Sequence, residues 1–224
     1  MRTRFGRLAI AAIVLGFAAQ GFAASLILNG SFETAANGYS APASGSAQDL
    51  SPSSNPNAIA NWTVIANDVA WLYTGDYGGT SEDGTYFIDL TGLNDQTPQG
   101  TIQQTVTLTP GTPYALSFYV GSDYGNSLYG GNKEIGVSVN GGTQQTFTTT
   151  FNSNTTGNIW QQFTYDFTPT VASNAITFEG LNAGTGYQYL GLDNITLVPE
   201  PTLLCFLSIA ALMVVRRRRC ARSY

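Results

Sequence analysis

Between residues 102 and 178 the apolar residues recur at every second position in a series of short runs. Ile102, Gln104, Val106 and Leu108 share one face, then Tyr114, Leu116, Phe118 and Val120, then Ile135, Val137 and Val139, then Phe163, Tyr165 and Phe167, and finally Ile176 and Phe178. A period of two places each set on one side of an extended chain, so every run reads as a half-buried strand. Turn chemistry separates them: Thr109-Pro110-Gly111-Thr112-Pro113 follows the first run, and Asn140-Gly141-Gly142 stands where a hairpin would reverse the chain into residues 144–151. In residues 191–198 the parity changes from Leu190 and Leu192 to Ile195 and Leu197, which predicts a bulge near Asp193-Asn194. No stretch from residue 24 to residue 197 carries a 3.6-residue period. The fold class is therefore all-β, an antiparallel sandwich, and its 24–197 span is long enough for one core. Residues 34–60 and 121–132, rich in Gly, Ser, Asn and Ala, read as two long surface loops.

The two ends of the chain are of another kind. Arg2, Arg4 and Arg7 precede an apolar stretch, 8–19, and small residues at 21–24, the layout of a secretory signal peptide cut near Ala23. At the other end Pro199-Glu200-Pro201 is followed by 14 uncharged residues, 202–215, and then by Arg216-Arg217-Arg218-Arg219. A helix of that length rises about 21 Å against a hydrocarbon core of about 30 Å, so it spans poorly. This order of tripeptide, short apolar helix and arginine cluster resembles the PEP-CTERM sorting signal of Gram-negative bacteria. The resemblance implies three segments: a signal peptide and helix at 1–23, the folded domain at 24–197, and a sorting signal with a short transmembrane helix at 198–224. It implies passage through signal peptidase, transient anchoring in the inner membrane, processing by exosortase, and release to the cell surface or an extracellular, biofilm-type matrix. A plain tail anchor, with the arginines snorkelling, is the alternative.

Removing both ends changes the charge balance. Eight of the nine basic residues lie in the terminal segments, whereas all 14 acidic residues lie between 24 and 201, which leaves Lys133 alone against them and a formal charge of −13. Nucleic acid is excluded as a partner, because phosphate contacts need lysine and arginine. Neither cysteine, Cys205 or Cys220, falls in this span, so no disulfide holds it. The chain has no histidine, which rules out Ser-His-Asp and Cys-His catalysis and leaves zinc, copper and haem without their usual ligands.

Seven landmarks follow in order: Leu28-Asn29-Gly30-Ser31-Phe32-Glu33, Asn61-Trp62-Thr63-Val64, residues 84–90, 100–105, 111–118 and 160–167, and Gly191-Leu192-Asp193-Asn194-Ile195. As a set they resemble the galactose-binding-like jelly roll of carbohydrate-binding modules. The resemblance implies a structural calcium tying the first strand to the last through Glu33 and Asp193, chemistry that hard oxygen ligands can supply. The alternative is that both carboxylates accept hydrogen bonds from loop amides.

Catalysis has little support: carboxylate pairs suited to glycoside hydrolysis arise by chance among 14 acids, and none stands out. The reading is non-enzymatic. Sugar binding uses aromatic faces beside polar groups, and the candidates are Trp71, Tyr73 and Tyr77, leading into an acidic, glycine-rich stretch, Tyr124 and Tyr129 in the second loop, and Tyr187 and Tyr189 before the last strand. Trp62 and Trp160 are assigned to the core. With one lysine in the domain, the expected ligand is a neutral polysaccharide. A structural or adhesive surface protein without a defined ligand is the competing reading. An ice-binding face built from the threonine rows 105, 107, 109 and 148, 150 is a minor one.

Overall fold

The computed structural model describes residues 24–123, 131–150, 158–181 and 189–200. The signal segment, most of the sorting segment including Pro201 and Arg216 to Arg219, and Tyr124, Tyr129 and Tyr187 lie outside the described residues. No helix among the described residues is long and apolar enough to cross a membrane.

Among the described residues, eleven strands build two antiparallel sheets: β1 Ala47–Leu50, β2 Thr63–Ala66, β3 Val69–Tyr73, β4 Tyr86–Asp89, β5 Thr101–Thr107, β6 Tyr114–Asp123, β7 Glu134–Val139, β8 Gln145–Thr148, β9 Asn158–Phe167, β10 Ser173–Gly180 and β11 Gly191–Pro199. One sheet has six strands in the order β1-β3-β4-β11-β6-β9; the other has five in the order β2-β5-β10-β7-β8. The expected alternation holds. Ile102, Val106, Ile135, Val137, Ile176 and Phe178 of one sheet meet Trp71, Ile88, Leu116, Phe118, Val120 and Leu192 of the other, all buried. Fully burying such a side chain contributes about 1.5–3 kcal/mol before entropy is counted. Aromatic pairs bridge the layers, as where Phe118 meets Phe178 edge-on at 5.2 Å.

The turn between β7 and β8 forms as its sequence requires: Asn140 and Gly141 both have positive φ, 55° and 64°, and the Gly142 amide donates to the Val139 carbonyl at 3.0 Å. Two left-handed residues in succession match the right-handed twist of the flanking strands, and Asn-Gly adopts them at least cost. The bulge in β11 is also present, as a register shift between Asp193 and Thr196 against β6, with Asn194 at φ 46°.

The first and last landmarks touch each other. Gly30 lies against the bulge so closely that a Cβ there would collide with the Ile195 carbonyl, and the Ile195 amide donates to the Gly30 carbonyl at 3.0 Å. The same opening segment accepts both core indoles, Trp62 through the Asn29 carbonyl at 2.9 Å and Trp71 through the Phe32 carbonyl at 3.1 Å.

One expected loop is partly structured. Residues 34–60 contain β1, which pairs with β3 from Ala47↔Leu72 to Leu50↔Val69. Its pairing is carried by backbone bonds with Leu50 as the one fully buried anchor, so composition alone concealed it. The last strand also runs past the expected domain end at 197: Pro199 pairs with Tyr114, and the Glu200 amide donates to the Pro113 carbonyl at 3.0 Å.

Candidate functional site

Trp71 is no binding platform. It sits in β3 between residues that are apolar on both faces, is fully buried, and packs against Tyr86 at 5.5 Å within the core. Tyr73, two residues on and therefore on the same face, is half-buried and meets Tyr86 edge-on at 5.7 Å. Trp62 is in the core as assigned, but Trp160 is not. Its position in β9 places it on the outer face of the six-stranded sheet, half-buried against a second, smaller cluster of Ala70, Leu72, Phe87 and Tyr189. There the ring lies over Gly121 and Gly191, where any Cβ would come within 3 Å of it.

This outer face carries the site. β3 and β4 contribute Leu72, Phe87 and Asp89; the connection between them, residues 74–85, folds back over the sheet so that Gly79 lies on the Phe87 ring and the Thr80 carbonyl accepts the Trp160 indole N–H at 2.9 Å. Phe87 stands edge-on to both Trp160, at 5.9 Å, and Tyr189, at 6.2 Å. Between this floor and residues 91–95 lies a cleft of about 100 Å³, lined by Leu72, Asp76, Tyr77, Phe87, Asp89, Leu93, Asp95 and Tyr189 together with Gly79 and Gly92. Tyr77 stands at the rim, 76 % exposed, on a left-handed backbone with φ 47°. A bulky residue held with positive φ is uncommon and strained.

The charged lining is carboxylate throughout. Asp89 Oδ1 accepts three hydrogen bonds, from the Thr91 amide (2.9 Å), the Thr91 hydroxyl (2.8 Å) and the Leu190 amide (2.9 Å). Burial nevertheless pushes its carboxyl up to about 6, with the negative charge of Asp95 adding to the effect and those hydrogen bonds opposing it. Asp76 Oδ1 accepts the Tyr77 amide at 3.1 Å, whereas its Oδ2 is buried with no hydrogen-bond partner. Lys133, the single basic side chain among the described residues, is buried beside β7 in the other sheet.

Of the aromatic candidates, then, the structure brings Tyr77 and Tyr189 to one cleft and withholds Trp71 and Tyr73. Phe87 and Asp89 were missed, because Phe87-Ile88-Asp89 is buried on both faces and shows no polar alternation. Their signal was a carboxylate inside an otherwise apolar strand.

Glu33 and Asp193 brace the connection from its far end. Glu33 Oε1 accepts the Thr85 and Tyr86 amides at 2.7 and 2.8 Å, and Gly84, with φ 67°, lies so close to this carboxylate that a Cβ would strike it. Asp193, fully buried, accepts the Glu82 and Asp83 amides on Oδ2 at 2.8 and 3.0 Å and the Asn194 amide on Oδ1 at 2.7 Å. Burial raises its carboxyl to about 7 against the pull of those amides, with Glu82 adding repulsion. Among the described residues, no three Asp, Glu, His or Cys side chains are grouped to hold a metal. The hydrogen bonds present on both carboxylates make an amide brace.

Comparison with known proteins adds a family. A family model described as a carbohydrate binding domain matches residues 24–180. Among similar solved structures is the exo-beta-1,3-galactanase of Phanerochaete chrysosporium with beta-1,3-galactotriose, 18 % identical over 68 % of this chain and 29 % of that one, with a TM-score of 0.39. This chain thus spans under a third of that enzyme's length. A CBM4 structure is 18 % identical over 78 % of this chain and 99 % of its own, with a TM-score of 0.37. TmCBM61 in complex with beta-1,4-galactotriose is 15 % identical over 79 % and 99 %, with a TM-score of 0.41. No curated protein matches the chain.

Proposed function

This chain belongs to the carbohydrate-binding domain family, and from that premise we propose that it binds carbohydrate, without catalysis, at the cleft on the outer face of its six-stranded sheet. The observation that carries the reading is Tyr77, exposed at the rim of an apolar floor whose charged neighbours are all carboxylates. A sugar ring stacks its C–H face on an aromatic ring while its hydroxyls donate to acceptors, and Asp76, Asp89 and Asp95 are acceptors. Anionic glycans meet repulsion there, so the ligand class is carbohydrate without negative charge, a neutral polysaccharide first of all.

Export belongs to the same proposal. The leader at 1–23 takes the chain through signal peptidase, and the segment from Pro199-Glu200-Pro201 to Arg216-Arg217-Arg218-Arg219 holds it in the inner membrane until exosortase removes the tail. The product works at the cell surface or in an exopolysaccharide matrix. The resemblance of those two segments to known signals supports this, as does the charge asymmetry between the ends and the domain.

A glycan array tests the binding proposal. Signal on uncharged glycans and none on sulfated or uronic acid glycans is the expected result. Uniform silence would favour a structural or adhesive protein with no defined ligand.

A further inference from the structure

One carboxylate oxygen at the cleft has no protein donor. Asp76 Oδ2 is buried and unpartnered. Asp89, only 7 % exposed, spends Oδ1 on three donors. A buried acceptor left without a donor is costly, and native folds keep few of them. More negative charge stands behind: Asp49 accepts the Leu93 amide at 3.3 Å, and Asp68 accepts Gln96 Nε2 at 2.6 Å, so five aspartates surround or underlie one small cleft. The Asp49 carboxyl too is raised, by burial first and by Asp68 in addition. A bare metal ion does not answer this arrangement, since among the described residues no three carboxylates converge on a point. The group that does answer it is polyatomic, brings several N–H or O–H donors, carries positive charge, and rides on a body with an apolar face for Tyr77.

We infer that the cleft is a subsite for a sugar bearing a free, protonated amine, a hexosamine unit that has no N-acetyl group. The inference rests on the carbohydrate reading and narrows it. An ammonium supplies three donors and a charge to Asp76 and Asp89, where a hydroxyl supplies one donor, and charge-assisted hydrogen bonds are about twice as strong as neutral ones. An ammonium near the exposed Tyr77 ring gains a cation–π contact as well. N-acetylation removes the charge and two of the three donors and adds bulk, which a cleft of about 100 Å³ resists.

The test is titration calorimetry of the purified full-length protein, in detergent, with a glucosamine oligosaccharide and its fully N-acetylated counterpart of equal length, at pH 6.5 in low and high salt. The expected result is at least tenfold tighter binding of the amine form, with the ratio shrinking as salt rises. Asp76→Asn should bring that ratio close to one. Glu179→Gln, an identical charge change on the opposite sheet, should leave it intact, and that contrast separates the cleft from general attraction to a domain of charge −13. Because Asp89 is buried and its variants risk unfolding, Asp76→Asn carries the test. Equal or tighter binding of the acetylated chain overturns the inference while the carbohydrate reading stands, as does an equal fall in the ratio from Glu179→Gln. An oligolysine of matched charge binding as tightly as the amino sugar also overturns it. If neither sugar binds while neutral glycans do, the subsite idea fails alone; if no glycan binds at all, both readings fail.

Discussion

Tyr77 and Trp71 lie six residues apart and make opposite predictions. Tyr77 is exposed and strained, so Tyr77→Ala removes a stacking face without removing core; affinity should fall by about 1–3 kcal/mol with an unchanged melting temperature. Trp71→Ala opens a cavity in the packed interior and should cost about 3–5 kcal/mol of stability, read by urea denaturation. The sequence grouped these residues with Tyr73 because all three are aromatic and close together. It could not separate them, because Val69-Ala70-Trp71-Leu72 is apolar on both faces and so lacks the alternation that tells inside from outside. Asp89 gives the third prediction. Its folded pKa, about 6, lies above the ordinary value of 3.8, so the folded state holds a proton that the unfolded state releases. The stability this confers is fully present below pH 3.8 and is lost as pH rises through 6. Between pH 7 and pH 5 the protein should therefore gain stability on acidification, by at most about 1.4 kcal/mol per pH unit from this residue. Asp89→Asn, which keeps the shape and cannot titrate, should remove this residue's share of the slope in denaturation curves at pH 5, 6 and 7, leaving the share of Asp193, whose carboxyl is raised to about 7. An unchanged slope would mean that Asp89 is ionised throughout.

Among the elements, the connection between β3 and β4 governs the site, and it is tied down from outside. Glu33 holds its amides at Thr85 and Tyr86, Asp193 those at Glu82 and Asp83, and Trp160 bonds the Thr80 carbonyl. The landmarks that open and close the domain were legible because each needs a special backbone, a glycine in close contact or a bulge. That they meet on one connection was not legible, since nothing in local spacing encodes contacts 50 or 110 residues away. Glu33→Gln puts a weaker acceptor under two amides, and Glu33→Ala removes it; melting should fall for Gln and further for Ala. At matched ionic strength, calcium and sodium should give the same melting temperature, because the brace is made of N–H groups. A rise specific to calcium that Glu33→Gln and Asp193→Asn abolish would instead establish a metal there. β11 has its own consequence: with Pro199 in register and the Glu200 amide bonded to Pro113, the tripeptide begins inside the folded sheet. Any protease acting there must work against the domain itself, with no linker between them. Intact-mass analysis of surface protein should find Arg216 to Arg219 gone, and recovery of the full C-terminus would make the segment a plain anchor.

For the whole molecule, the decisive quantity is the imbalance of one lysine against fourteen acids. In the folded domain it becomes local, as aspartates gather around one aromatic cleft while the outer face of the other sheet carries Thr105, Thr107 and the paired Gln103 and Thr177. The class of fold was readable from periodicity, whereas the location of the site was not, because it depends on which face a covered strand turns outward. The central claim is that carbohydrate binds over Tyr77. Its most direct measurement is calorimetric titration of the tightest-binding uncharged or amino glycan into the wild-type protein and into Tyr77→Ala, with melting curves of both. The account predicts a tenfold or greater loss of affinity in Tyr77→Ala at equal melting temperature. A variant that melts like wild type and binds the same glycan with the same affinity would contradict it.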